Sequence, residues 1–575
     1  MTNPGARNLI HMTPFDVWKD RLRRYGLVLA TYLLVTWFTD ADFMGDTIDY
    51  VASIVMMRQG ENHYFWEFAH ILWRPFGWVF ALLATPLTRL IVGPNEYANV
   101  TLQLLIVSWL AGLLMVLMSY RLIKFLTTQE WVANVVTIAM IFSQGFLVHA
   151  QSGTAYVPGL ALLSLGVYIL VRHGNDPARP VLLALLAGVA LAGSICFWVT
   201  YVLAVPAALL SPLFVLGFNK KRFRLVLVTG VMCLGLTGLA YAFALTQLGI
   251  YTFGGFRSWM AASADAAFIP RGGLLRMIFS FARAFISMGN DGMIFKRYLY
   301  QDPFNPVSLS ELLRLSVWKI VLFYISFAAM TLNLLRVKVG RQVLGLLIVG
   351  MIPTMVLALL LEGGAVDRYL PIYPFVFLAL AYSLSNSRSL RGLNVTALAF
   401  FIAAAIINIS VLAKPVLNRQ QEVAAARVRD LQPRLKPESL LLTANLRDDL
   451  VNFNRSFPLH PINLDRVHLL RVGSIIAPGS ENVSRWRKDF ASAALNAWNA
   501  GGEVWLSRRV LSPTPLSEWG WVESDDPRVS WTDIYTFFSQ FEMGESQGGE
   551  DGFVLLSPSP QNEKILRDWT QKQAG

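Results

Sequence analysis

Charge is what this 575-residue chain has least of: Asp, Glu, Lys and Arg make up 15%, against 54% hydrophobic residues. Soluble domains carry about 25% charged residues, so the deficit excludes an ordinary soluble globule and points to a chain that lives in lipid. Cysteine is scarcer still. The two present, Cys196 and Cys233, both fall inside apolar runs, which leaves no disulfide framework and no thiolate metal site. The stretch 414–575 has no glycine-rich phosphate loop and no metal-ligand spacing, and the chain shows no internal repeat of the kind that builds a transporter from two related halves. A net charge of +12 would suggest nucleic acid in a soluble protein. Here most of the excess lies in short loops between apolar segments, so topology accounts for it and no nucleic-acid partner is expected.

What the chain does have is apolar runs long enough to cross a hydrocarbon layer, which takes roughly 20 residues. They lie near 25–39, 97–119, 131–149, 155–171, 180–196, 198–217, 223–248, 315–335, 342–361, 369–386 and 392–413, about eleven spans. Lys19, Arg21, Arg23 and Arg24 precede the first run, and TWFTDADF at its end offers no cleavage pattern, so the run reads as a retained span starting in the cytoplasm. Phe15, Val17, Trp18 and Leu22, among those bases, suit a segment lying on the membrane surface.

The stretch 70–92 is ambiguous: it is apolar, but His70, Arg74, Pro75, Pro86 and Arg89 make it a poor lipid-facing helix. Charge decides. If 70–92 does not cross, the loops bearing Arg121 and Lys124, Arg172 and Arg179, Lys220 to Arg222 with Arg224, Arg336 with Lys338 and Arg341, and Arg388 with Arg391 all share the side of the basic N-terminus. Were it a span, all would face outward, against the bias of cytoplasmic loops toward Lys and Arg. The expectation is a membrane domain over 1–413 with external loops at 40–96 and 249–314, and an external tail at 414–575. In the tail the apolar runs shorten to strand length near 441–445, 503–507 and 553–557, with amphipathic candidates at 484–499 and 531–541. That pattern predicts a small α/β domain.

The chemistry-bearing residues gather where the first span leaves the membrane. FTDADFMGDTIDY, 38–50, carries Asp40, Asp42, Asp46 and Asp49, with Glu61 and Glu67 further on and Arg58 among them. External loops tolerate acids, so carboxylates alone prove little. Their depth is the informative part. A sugar on a lipid phosphate presents its reacting carbon at headgroup level; a base for the incoming group must sit there too, and a partly desolvated carboxylate serves. The departing phosphate also needs cations, arginine forks above all.

The stretch GDTIDYVASIVMMRQGEN, 45–62, resembles the first external loop of the GT-C glycosyltransferases, which include the protein O-mannosyltransferases and the lipid A aminoarabinose transferases. Asp46 and Tyr50 match their acid-then-tyrosine spacing, and Gly60 follows. HILWRPFGW, 70–78, stands where these enzymes have a His and a Pro leading into a second surface helix, matched by His70 and Pro75. EGGAVDRYLPIYPFVFLALA, 362–381, is similar to the opening of a late helix in the same group, with Arg368 and Tyr369 at its external mouth. The resemblance covers roughly 20–413. It implies a polytopic α-helical fold in a bacterial inner membrane and transfer of a sugar, hexosyl or pentosyl, from a polyprenyl-phosphate donor to an external glycan, lipid or protein. Asp46 or Asp49 would be the base, with inversion at the sugar carbon. Asp42, Tyr50, His70, Arg74, His149, Arg257, Arg368 and Tyr369 are the candidate substrate-binding residues. No all-protein metal site is expected, while a divalent cation (Mg or Mn) held by the acids and the donor phosphate stays open.

The other features are less specific. The loop 249–314 holds Arg257, Arg271, Arg276, Arg283, Lys296 and Arg297 among apolar residues, suiting anionic headgroups or a carrier phosphate; Phe279, Phe281 and Phe285 would rest in that headgroup layer. His149 closes the third run near Gln151 and Tyr156. A transporter or flippase is the competing reading, and it predicts charges deep inside several spans; these spans are nearly free of charge at mid-depth. A non-catalytic envelope scaffold is the third.

Overall fold

The computed structural model describes residues 14–39, 45–58, 60, 65–94, 96–174, 180–263, 273–288, 294, 298, 307–360, 365–386, 391–417, 435–443, 468–471, 486–513, 531–547 and 552–571. Each of the eleven apolar runs is helical. Helix α1 spans Pro14–Phe38, α2 Gly45–Arg58, α3 Trp73–Val92, α4 Glu96–Thr127, α5 Glu130–Ile141, α6 Gln144–His149, α7 Tyr156–His173 and α8 Pro180–Phe197. A 3-10 turn, Val199–Leu203, leads into α9, Val205–Leu216; α10 is Lys220–Gln247, α11 Phe253–Ser263 and α12 Leu274–Arg283. The membrane part ends with α13, Trp318–Leu335, α14, Lys338–Leu360, a 3-10 turn, Asp367–Ile372, α15, Tyr373–Ser385, and α16, Arg391–Leu417. Among the described residues, nine helical stretches are long and apolar enough to cross a membrane. The chain is a multi-pass membrane protein.

Helix order follows from side-chain pairing. Tyr32 Oη donates to the Trp109 carbonyl at 2.7 Å, Trp109 Nε1 to Thr36 Oγ1 at 3.0 Å, and Arg121 Nε to Tyr25 Oη at 3.2 Å. Helix α1 therefore runs antiparallel to α4, and the first turns of α4 lie at the end where α1 exits. Helices α7 and α8 pack along their lengths, and α10 packs on α8.

Helix α3 is one of the nine long apolar helices, and contacts with α8 and α4 hold its two ends. At its start, Leu72 N–H donates to the Cys196 carbonyl and Val199 N–H to the Ala69 carbonyl, both at 2.9 Å, which ties it to the end of α8. At its far end the turn through Gly93 enters α4 directly, and Thr88 Oγ1 meets Asn99 Oδ1 at 2.8 Å. The sequence reading of 70–92 as a poor lipid-facing helix is corrected in one respect. Arg74, Thr85 and Thr88 turn inward, and Leu83, Leu87, Leu90 and Ile91 stand exposed as an apolar face. Polar residues on one side of a helix do not spoil the other.

A second correction concerns α12. Phe281 and Phe285 do not rest in a headgroup layer; they are buried, with Phe285 stacked on Phe323 at 5.2 Å and on Tyr373 at 5.0 Å. The helix presents one apolar face strongly enough to become part of the core.

The tail carries a five-stranded mixed sheet: β1 Leu440–Thr443, β2 His468–Arg471, β3 Val504–Ser507, β4 Met543–Gln547 and β5 Phe553–Leu556, in the order β2-β1-β3-β5-β4. Strand β1 runs parallel to β2 and β3, and β5 antiparallel to β3 and β4. Helices α17, Trp486–Asn499, α18, Trp531–Phe538, and α19, Pro560–Gln571, complete it. Its core joins Leu440, Leu442, Val504 and Leu506 to Phe490, Phe537 and Phe538. The three strands expected are present; β2, β4 and α19 were not anticipated.

Candidate functional site

Helix α2 starts at Gly45, which puts Asp46 in its first turn. The positive end of a helix favours a carboxylate there. The turn between α6 and α7 holds α2 in place. Thr47 Oγ1 donates to the Ser152 carbonyl, and Gly153 sits at φ +72°, where a Cβ would fall 2.9 Å from the Thr47 methyl. Glycine is required at that point for both reasons.

Asp46 is half-buried and accepts a hydrogen bond from Tyr156 Oη, at the first residue of α7. Around that phenol the rings close in: Trp198 at 4.6 Å, His149 at 4.9 Å and His70 at 5.9 Å between centroids. Burial raises the pKa of Asp46 above the ordinary carboxylate value; the Tyr156 bond and His70 pull it down, while Asp367 and Asp49 push it up. A carboxylate raised by desolvation is a stronger base once ionised.

His70 is buried, its Nδ1 2.9 Å from the Phe197 carbonyl. A carbonyl only accepts, so Nδ1 carries the proton. Burial, the largest cause, lowers the imidazole's pKa, and the neighbouring Glu67 and Asp46 carboxylates oppose it. Tyr50 packs against that ring at 5.3 Å. Arg74 lies over Tyr50 at 4.9 Å, pairs with Glu67 and is 5% exposed. Its charge already has a partner, so it braces the loop before α3 as much as it offers a cation. Arg368 lies on the opposite flank, its guanidinium 5.5 Å over the Trp198 ring and its Nη1 donating to Thr200 Oγ1 at 3.2 Å.

Six of the sequence candidates thus converge: Asp46, Tyr50, His70, Arg74, His149 and Arg368. Three other described candidates do not join them. Asp49 is exposed, one turn along α2, although it acts electrostatically on Asp46. Tyr369 is buried in the bundle, donating to the Met277 carbonyl at 3.3 Å and packing on Phe281. Arg257 is exposed on α11, a helix that seats Trp259 against the Trp66 carbonyl at 2.9 Å. Asp42 lies outside the described residues, as do Asp40, Glu61, Arg271, Lys296 and Arg297.

The sequence reading passed over Trp198, Thr200 and Tyr201, and gave Tyr156 and Asp367 no role in the site. Trp198 and Tyr201 interrupt the boundary between two apolar runs, a place where aromatic residues ordinarily read as an interface belt. That ordinary meaning hid them. Among the described residues no group of three or more His, Cys, Asp and Glu side chains is placed to hold a metal ion.

With this geometry in hand, comparison with known proteins is informative at the level of fold. No protein-family model matches the sequence, and no curated protein does. Among solved structures, ArnT from Cupriavidus metallidurans bound to undecaprenyl phosphate aligns over 94% of this chain and 99% of its own, at 11% identity and a TM-score of 0.51. The apo state of the same enzyme aligns over 96% and 99%, at 11% identity and a TM-score of 0.52. The archaeal oligosaccharyltransferase AglB from Archaeoglobus fulgidus aligns more loosely, over 94% and 75%, at 11% identity and a TM-score of 0.46. The chain shares its fold with ArnT, and here that fold is a polytopic helical part followed by a small C-terminal α/β part.

Proposed function

We propose that this chain transfers a sugar from a polyprenyl-phosphate carrier to an acceptor on the outer face of a bacterial inner membrane. Its N-terminus would then be cytoplasmic and its 414–575 tail external. The observation that carries the reading is the half-buried Asp46, hydrogen-bonded at the α1 exit, with arginines on two flanks. The fold shared with ArnT, bound in one structure to undecaprenyl phosphate, supports a lipid-phosphate donor.

In this mechanism the acceptor oxygen or nitrogen attacks the anomeric carbon from the face opposite the phosphate. The bond to the acceptor forms as the carbon–oxygen bond to phosphate breaks, and the electron pair leaves with the phosphate. The acceptor proton passes to Asp46, and the configuration inverts. Arg368, stacked on Trp198 and 3.9 Å from Asp367, and Arg74, stacked on Tyr50 and paired with Glu67, are the cations for the leaving phosphate. Arg257 would meet the carrier's phosphate or neighbouring headgroups, and Tyr50, His70 and His149 would wall the sugar. The tail would orient a glycan, lipid or protein acceptor.

The test is purified protein with a radiolabelled polyprenyl-phosphate sugar and a panel of acceptors. General-base catalysis contributes about 10²–10⁴-fold, so Asp46→Asn is expected to lose transfer by that order. Undiminished transfer in Asp46→Asn removes the assignment. Saturable solute flux into vesicles without product replaces it with transport.

A further inference from the structure

We infer that Tyr156 is the positioning residue of the Asp46 carboxylate, and that Tyr201 fixes Tyr156 in turn. The inference rests on the proposed transfer for its kinetic consequence, although the pairing itself does not.

Tyr156 belongs to α7 and Asp46 to α2, so their hydrogen bond is the contact that ties the carboxylate to the helix bundle. Tyr156 is 6% exposed, and its ring is packed by Trp198 and His149, which leaves the phenol no freedom to follow a wandering carboxylate. The backbone at Tyr156 is held as well. Tyr201 Oη, from the turn after α8, donates to the Tyr156 carbonyl at 2.5 Å. Tyr201 itself is fully buried against Gly159 one turn along α7, where a Cβ would stand 2.5 Å from its ring. A phenol fixed at both ends sets one carboxylate orientation, and hydrogen bonds to ionised groups are the strong ones. The groups that face Asp46 electrostatically are Asp49 on its own helix, His70 before α3 and Asp367 before α15. His70 favours the ionised form and the two acids oppose it. Tyr156 is the hydrogen-bond donor that offsets the acids and the burial.

Tyr156→Phe keeps every ring contact and deletes only the donor. In full-length protein, infrared titration of the carboxylic-acid band, assigned by its loss in Asp46→Asn, is expected to show a midpoint displaced to higher pH in Tyr156→Phe. With the radiolabelled polyprenyl-phosphate sugar, transfer is expected to fall about tenfold to a hundredfold, with its acidic limb moved the same way. In an Asp46→Asn background the same change is expected to cost less than about threefold, because the ionisable acceptor is replaced by a neutral amide. Tyr201→Phe is expected to give a weaker copy of both effects. An unmoved midpoint together with an unmoved acidic limb overturns the inference, even if Tyr156→Phe is less stable or less active. A displaced midpoint in a protein that transfers no sugar supports the pairing and counts against the proposed function alone.

Discussion

Gly153→Ala tests whether the turn before α7 sets the position of the candidate base. Two costs are readable from the structure. The backbone there is at φ +72°, where an L-residue pays about 1–2 kcal/mol. The new Cβ would lie 2.9 Å from the Thr47 methyl, against about 3.5–4.0 Å for carbon atoms at ease, so one of them must move by roughly half an ångström or more. Thr47 is the neighbour of Asp46 and is bonded to the Ser152 carbonyl, so the displacement is passed to the carboxylate. A misplacement of about 1 Å at a reacting group costs on the order of a hundredfold; transfer in Gly153→Ala is expected to fall about tenfold to a hundredfold. Thr47→Ser removes the methyl and keeps the hydroxyl. The double variant should therefore regain most of the lost transfer while its unfolding temperature in detergent stays lowered by the remaining backbone strain. The cycle is read with the radiolabelled donor alongside thermal unfolding. Gly153→Ala with wild-type transfer, or a double variant no better than Gly153→Ala, refutes the reasoning.

Asp49→Asn is expected to keep transfer within a few-fold, because Asp49 is exposed, and to move the acidic limb to lower pH, because Asp49 raises the pKa of Asp46; a hundredfold loss would make Asp49 the base. Burial raises the pKa of Asp46, so the folded state binds its proton more tightly than the unfolded chain and the ionised carboxylate destabilises the protein at neutral pH. Asp46→Asn is thus expected to be inactive yet to unfold at no lower temperature than wild type at neutral pH, which thermal unfolding checks. Arg368→Lys is expected to lower transfer about tenfold to a hundredfold, since an ammonium replaces neither the stacked plane nor the fork; a product assay at saturating acceptor reads it. For the expected topology, in which α3 does not cross, an impermeant thiol reagent should label Gly60→Cys and Pro94→Cys, which flank α3, from the same side of sealed vesicles and Phe218→Cys from the other. The native Cys196 and Cys233 are buried and should stay silent.

The membrane part was legible because its signal is coarse: a run of apolar residues long enough for lipid must be helical, since lipid offers no other partner for the backbone. The acid cluster was legible for a related reason, as Asp46 follows the first run at a spacing that only the exit of α1 can produce. What the sequence withheld is everything decided by contact between runs. Phe281 and Phe285 carry the same apolar signature whether they meet lipid or Phe323, and α12 met Phe323. Arg74 looked like a cation waiting for an anion until Glu67, seven residues earlier, turned out to hold it. Tyr156 and Tyr201 are 45 residues apart, and each alone is an ordinary interfacial tyrosine. Helix α3 shows the limit most clearly. Its composition permits a crossing and its charges argue against one, and neither settles the matter. What the structure adds is contact: the backbone bonds from Leu72 to Cys196 and from Val199 to Ala69 pin its start to the end of α8, and Thr88 meets Asn99 of α4 near its far end. Contacts between separate runs of sequence, which composition does not reveal, brace the loop that carries His70 and Arg74.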